Sequence, residues 1–131
     1  MNAGDFPITL LTTAILGLIY SVLCINVVRQ RLKAKIAIGH DNPALLQHYR
    51  AQANFMEYVP LCLILLALLE NVGRYPLFIL IVSVSLIVAR ILHAWGMTRP
   101  RGLHWARRIG ALLTLLVLWA CCVLSLIIFF G

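Results

Sequence analysis

Hydrophobic positions along this chain gather into four long runs separated by short polar intervals, with no strict alternation of apolar and polar residues. The runs extend from about Ile8 to Val28, Phe55 to Leu69, Leu77 to Ala89 and Ile109 to Phe130. Roughly 20 residues cross about 30 Å of hydrocarbon at 1.5 Å per residue, and the first and fourth runs meet that length directly. The second reaches it backwards through Ala44-Leu45-Leu46-Gln47-His48-Tyr49-Arg50, and the third forwards through Arg90 to Trp95, so both cross with polar residues at one end. Gly73 and Pro76 punctuate a tight turn between them, because proline cannot continue a helix and glycine relaxes the backbone. Runs this long without period-two patterning do not describe a barrel. The pattern predicts an all-α integral membrane protein, a four-transmembrane-helix bundle with helices over about 7–33, 44–70, 76–96 and 105–130 in a single domain, 1–131.

Composition sharpens that reading. The chain is 63% hydrophobic and has a mean hydropathy of +0.98, more apolar surface than a soluble domain of this size can hide. The start Met1-Asn2-Ala3-Gly4-Asp5 has no basic region, and no small-residue cleavage site follows the first run, so that run is expected to stay as a helix rather than leave as a signal peptide.

The net charge of +7 is unevenly spread. Arg29, Arg31, Lys33, Lys35 and Arg50 surround the first loop, and Arg99, Arg101, Arg107 and Arg108 the third. The second loop has only Arg74 and the N-terminus has Asp5. Short basic loops stay cytoplasmic, so loops 1 and 3 are expected in the cytoplasm and both termini in the periplasm of a bacterial inner membrane. Topology thus accounts for most of the charge and attraction to membrane lipid headgroups for some of the rest. No basic–aromatic groove accompanies it, which argues against nucleic acid as a partner. Cys24, Cys62, Cys121 and Cys122 lie inside apolar runs with no ligand spacing, so they read as small packing residues, and neither a metal nor a disulfide is expected.

The polar residues near the helix ends are more informative. At about 100° per residue, Asn54 lies about 40° to one side of Arg50 and Glu57 about 20° to the other, with Tyr58 beside them. The third helix adds Arg90 and His93, with Met97 one turn on, and Arg107 and Arg108 open the fourth. One bland reading lets Glu57 pair with Arg90 or Arg50 to tie helices while the helix-end arginines snorkel to headgroups. Arg99 and Arg101, flanking Pro100, read as topological charge. Yet the excess of arginine over carboxylate leaves charge unsatisfied inside a membrane, where it is costly. An anionic ligand completes it: arginine forks suit carboxylates, and Glu57 suits an ammonium group.

The segment Tyr49-Arg50-Ala51-Gln52-Ala53-Asn54-Phe55-Met56-Glu57-Tyr58-Val59-Pro60 closely resembles the RxxxNxxExxP signature of the membrane-associated proteins in eicosanoid and glutathione metabolism, the MAPEG family. The four-helix layout, basic loops and Arg90-xx-His93 element agree with it. The resemblance implies a homotrimer that binds glutathione between subunits near the cytoplasmic side. It assigns Arg50, Asn54, Glu57 and Tyr58 of one subunit, with Arg29 or Arg31 nearby, and Arg90 and His93 of the neighbour. The thiol-activating arginine it implies is Arg107, with Arg108 as the alternative register. The implied activity is of glutathione transferase or peroxidase type, attacking a lipophilic small molecule dissolved in the membrane. Where many family enzymes place a tyrosine one turn beyond Arg90-xx-His93, this chain has Met97, which cannot donate a hydrogen bond. That departure keeps a non-catalytic glutathione-binding or structural trimer in view. A small proton-coupled multidrug transporter using Glu57 is the third reading, weakened by the neighbouring arginines, which would repel a cationic drug.

Overall fold

The computed structural model describes residues 6–99 and 104–131. Asp5 and the rest of the N-terminal five residues, and Pro100 and Arg101 of the third loop, lie outside the described residues. The described chain is an all-α bundle of α1 (Pro7–Ala34), α2 (Pro43–Val72), α3 (Pro76–Thr98) and α4 (His104–Phe130). All four are long and apolar enough to cross a membrane.

Punctuation residues set the ends. Pro7, Pro43 and Pro76 begin the first three helices, where a missing N–H is no loss because the first turn has no intrahelical acceptor for it. Asn42 caps α2, its side-chain oxygen accepting from Ala44 N at 3.0 Å and Leu45 N at 3.1 Å. Gly73 ends α2 with φ 72°, a left-handed conformation that glycine adopts without a Cβ clash. Lys35 does the same for α1 at φ 55°, with Ile36 N reaching back to Arg31 O at 3.1 Å. Pro60 lies within α2 and deprives the Met56 carbonyl of its helical donor, yet the helix runs on.

The helices pack with α2 and α3 as the central pair. Helix α1 lies against α2 and α3, α4 lies against α3 and α2, and α1 and α4 do not touch. On α2 the buried stripe is Ala51, Phe55, Val59, Cys62, Leu66 and Leu69, at the three- and four-residue spacing of one helical face. Leu16, Leu23, Ile79, Leu86, Val117 and Cys121 complete the core around it. The outer face is apolar too, as at Leu18, Leu32 and Leu77. A helix bundle greasy on both sides is one dissolved in lipid.

Association in lipid depends on close packing, because apolar burial gives no driving force between helices there. The α3–α4 contact shows this at Gly110. A Cβ on Gly110 would sit 2.6 Å from both Ala89 O and His93 N. The fourth helix therefore rides directly on the backbone of the third, beside the segment that carries Arg90 and His93.

Candidate functional site

At one end of the bundle converge the C-terminal ends of α1 and α3, the N-terminal part of α2 and the start of α4. Arg90, on α3, is fully buried there at 0% exposure. Its Nη2 donates to Asn54 Oδ1 across the α2–α3 interface at 3.0 Å. Its guanidinium carbon lies 5.2 Å from the centre of the Phe55 ring, a cation–π distance. Nη2 also approaches His93 Nδ1 at 3.5 Å. The other two nitrogens, Nε and Nη1, have no hydrogen-bond partner. An arginine at the centre of a membrane helix costs about 2.5–3.5 kcal/mol on insertion scales. One amide and a ring face offset part of that and leave two nitrogens, with three N–H bonds between them, seeking an acceptor.

The helix-tying pair between Glu57 and Arg90 does not form, since Asn54 takes the Nη2 donor and Nε and Nη1 bond to nothing. Glu57 and Arg50 are instead exposed on the outer side of α2, whereas Asn54 and Tyr58 are half-buried. A cavity of about 40 Å³ opens at this junction, lined by Asn54, Tyr58, Arg90, Ala111, Thr114 and Leu115. It lies below the roughly 300–1,000 Å³ of a pocket that encloses a small-molecule ligand. The stripe on α2 is thus split: one half lines a small cleft inside the bundle and the other half looks outward beside it.

The two arginines that open α4 differ. Arg107 reaches back to α3, with Nη1 4.0 Å from Met97 Sδ. The buried stripe of α4 is Ala106, Gly110, Thr114, Val117 and Cys121. Arg107 lies about 60° from the centre of that stripe and Arg108 about 160°, nearly opposite it. Arg107 accordingly sits beside the Arg90–His93 face, and Arg108 points away from the bundle.

The α1 arginines stand apart from this group. Arg31 donates through Nη1 to Gly39 O at 2.9 Å and Ala37 O at 3.3 Å, tying down the first loop. Arg29 is exposed. Neither meets α4, because α1 and α4 are not neighbours. Among the described residues, no group of three or more His, Cys, Asp or Glu side chains is placed to hold a metal ion.

Three contacts, two of them polar, had no place in the sequence reading. Gln52 Nε2 bonds both Tyr20 Oη and Cys24 Sγ on α1 at 3.3 Å, a polar tie between α1 and α2. Gln52 sits within the signature and is the one amide on the α1 side of it, which is its signal. At the opposite end of the bundle, Glu70 near the C-terminus of α2 accepts Ile8 N at 2.9 Å and Thr9 N at 2.8 Å. These are open donors of the first turn of α1, whose own cap residue, Phe6, supplies no side-chain bond. A carboxylate in the last turn of its own helix is electrostatically misplaced, and that misplacement is the signal that it serves another helix. The close approach at Gly110 is the third; a glycine among leucines hints at it.

A four-helix membrane bundle with a buried arginine and a split polar stripe at one end defines the class of this protein. The family assignment agrees over nearly the whole length: the chain belongs to the MAPEG family, whose sequence profile matches residues 9–127. Among curated proteins it is similar to the inner membrane protein YecN of Escherichia coli K12, 29% identical over 83 residues. It is equally similar to YecN of an O6:H1 strain of that species. The matched segment covers 63% of this chain and 63% of the relative. Four apolar spans and these relatives identify a multi-pass inner membrane protein.

Proposed function

We propose that this chain binds glutathione at the basic end of the bundle, between copies of itself in a homotrimer, and activates the thiol for attack on a lipophilic electrophile. The carrying observation is Arg90, fully buried with Nε and Nη1 unpaired beside a cleft that also exposes Asn54 and Tyr58. Two idle guanidinium donors in a low-dielectric site favour a carboxylate. Glutathione carries two carboxylates and one ammonium, and Arg50 and Glu57 lie on the adjoining outer face to complement both charges. The cleft of about 40 Å³ is too small for a tripeptide. A second subunit over that open side would supply the missing wall, and Arg29 of that subunit could join it.

Arg107 is the residue proposed to stabilise the thiolate. Positive charge next to a thiol lowers its pKa from about 8.5 and raises the thiolate fraction at neutral pH. The thiolate sulfur would then form a bond to the electrophilic carbon as a leaving group such as chloride departs with its electron pair. The electrophile would arrive from the lipid, for which the apolar outer face is suited. The orientation that fits this reading places loops 1 and 3, with Arg29, Lys33 and Lys35, in the glutathione-containing cytoplasm.

One observation favours a second reading. Arg107 faces the Met97 thioether, a weak acceptor that cannot donate to a sulfur anion. A glutathione-binding trimer without turnover follows if Arg107 alone is insufficient. Transport of a cationic drug is disfavoured by Arg50 and Arg90 around Glu57.

Isothermal titration of glutathione into detergent-purified protein, wild type beside Arg50→Ala and Arg107→Ala, tests the proposal together with conjugation to a chloronitrobenzene. Saturable binding is expected in the wild type, weakened in Arg50→Ala and retained in Arg107→Ala with turnover lost. Full turnover in Arg107→Ala would remove Arg107 from its role. Failure of the folded wild type to bind would overturn the glutathione site altogether.

A further inference from the structure

On the same end of the bundle as the cleft, a second cluster faces outward. Trp95, near the end of α3, and Trp105, in the first turn of α4, are 39% and 53% exposed. Their rings meet edge to face, 6.2 Å apart at 85°. The Arg99 guanidinium carbon lies 5.6 Å from the centre of the Trp95 ring. Stacking on a ring face holds a guanidinium in place while leaving its in-plane N–H fork available to an anion. Arg108 follows Trp105 by three residues, one turn along the same side of α4. Below them the exposed face of α4 is apolar for its whole length, through Ile109, Leu112, Leu116, Trp119 and Val123. The first turn of α4 contains no acidic residue, and Glu57 and Glu70 stand on α2. The cluster therefore has cations and ring edges at the level of a membrane interface, an apolar track beneath, and no carboxylate on either helix that builds it.

We infer that Arg99, Trp95 and Trp105, with Arg108, form a binding site for the phosphate headgroup of an anionic phospholipid whose acyl chains lie along the outer face of α4. Indole rings settle at the headgroup level, where their apolar body and N–H are both satisfied. Arg99, stacked on Trp95, and Arg108, one turn beyond Trp105, supply the positive charge that holds the phosphate. Glutathione plays no part in this inference, which rests only on the membrane placement of the helices.

The test is tryptophan quenching in nanodiscs, using full-length protein with Trp119→Phe so that Trp95 and Trp105 are the emitters. Phosphatidylglycerol brominated high on the acyl chain is compared with phosphatidylcholine brominated at the same position, each at the same mole fraction and each normalised to unbrominated lipid. The anionic lipid is expected to quench more strongly. Its preference should fall about fivefold in Arg99→Gln and again in Arg108→Gln, the change that corresponds to about 1 kcal/mol per basic group near an anionic surface. Lys33→Gln/Lys35→Gln, which removes charge from the same end but not from the cluster, should leave the preference intact. Soluble glycerol phosphate should not relieve the quenching. Equal quenching by both lipids in the starting protein would overturn the site. So would loss of preference in the lysine variant, which would mean diffuse attraction, or its persistence in both arginine variants. Relief by glycerol phosphate would replace the lipid with a free phosphate ligand.

Discussion

Arg90 has a structural bond to Asn54 and two donors held open, and the two roles can be separated by volume. Methionine approximates the aliphatic stem without the charge, so Arg90→Met keeps the packing against Phe55 while removing every donor. The thermal midpoint in detergent should correspond to a change of no more than about 1–2 kcal/mol, mostly from stranding Asn54. Glutathione affinity by titration should fall about 10- to 100-fold, the equivalent of one charge-assisted hydrogen bond of about 1.5–3 kcal/mol. Unchanged affinity would make Arg90 a helix tie only. The type and side of these residues were legible in the sequence: Arg50, Asn54 and Glu57 share a face by spacing alone. Their partners were not, because a bond between Asn54 and Arg90 depends on the register of α2 against α3, which is set by how Gly73 to Pro76 turns the chain. The outward exposure of Glu57 was hidden for the same reason.

At the scale of elements, two contacts hold helices at fixed separation. Gly110→Ala drives a methyl to 2.6 Å from the Ala89 carbonyl and the His93 amide, so α3 and α4 must part. A loss of about 1–3 kcal/mol is expected in reversible unfolding from detergent. Gly17→Ala is the matched control, since nothing lies within 4 Å of its Cβ position. It should be neutral or gain up to about 1 kcal/mol from helix propensity. The second contact is the Glu70 clamp on α1. Glu70→Ala opens two backbone donors and should cost about 1–2 kcal/mol. Glu70→Gln, which keeps one acceptor oxygen, should fall between, as read by the same unfolding experiment or by amide exchange at Ile8 and Thr9. Helix existence was plain from the four apolar runs, and the turn between α2 and α3 from Gly73 and Pro76. The clamp and the Gly110 contact join residues 62 and 21 positions apart, Ile8 to Glu70 and Ala89 to Gly110, and no local pattern encodes such pairings.

For the whole molecule, the proposed shared site makes assembly a condition of glutathione binding, because the stripe on α2 is split between the cleft and the outer face. Native mass measurement of protein in mild detergent should give three copies, with about three glutathione molecules if each interface holds one. A monomer that binds glutathione with undiminished affinity would contradict the shared site. Labelling with an impermeant thiol reagent in intact cells, on a cysteine-free background, should modify Arg74→Cys and spare Ile38→Cys. The reverse result would invert the orientation. The clamp at Glu70 also bears on how such a chain is made. The first turn of α1 emerges from the ribosome with its amides unmet, and their acceptor is synthesised some sixty residues later. Until then these two amides lack the Glu70 acceptor. The Glu70 carboxylate then fastens the first two spans to each other through two backbone bonds, a tie whose residues are all synthesised before the arginine-bearing third span.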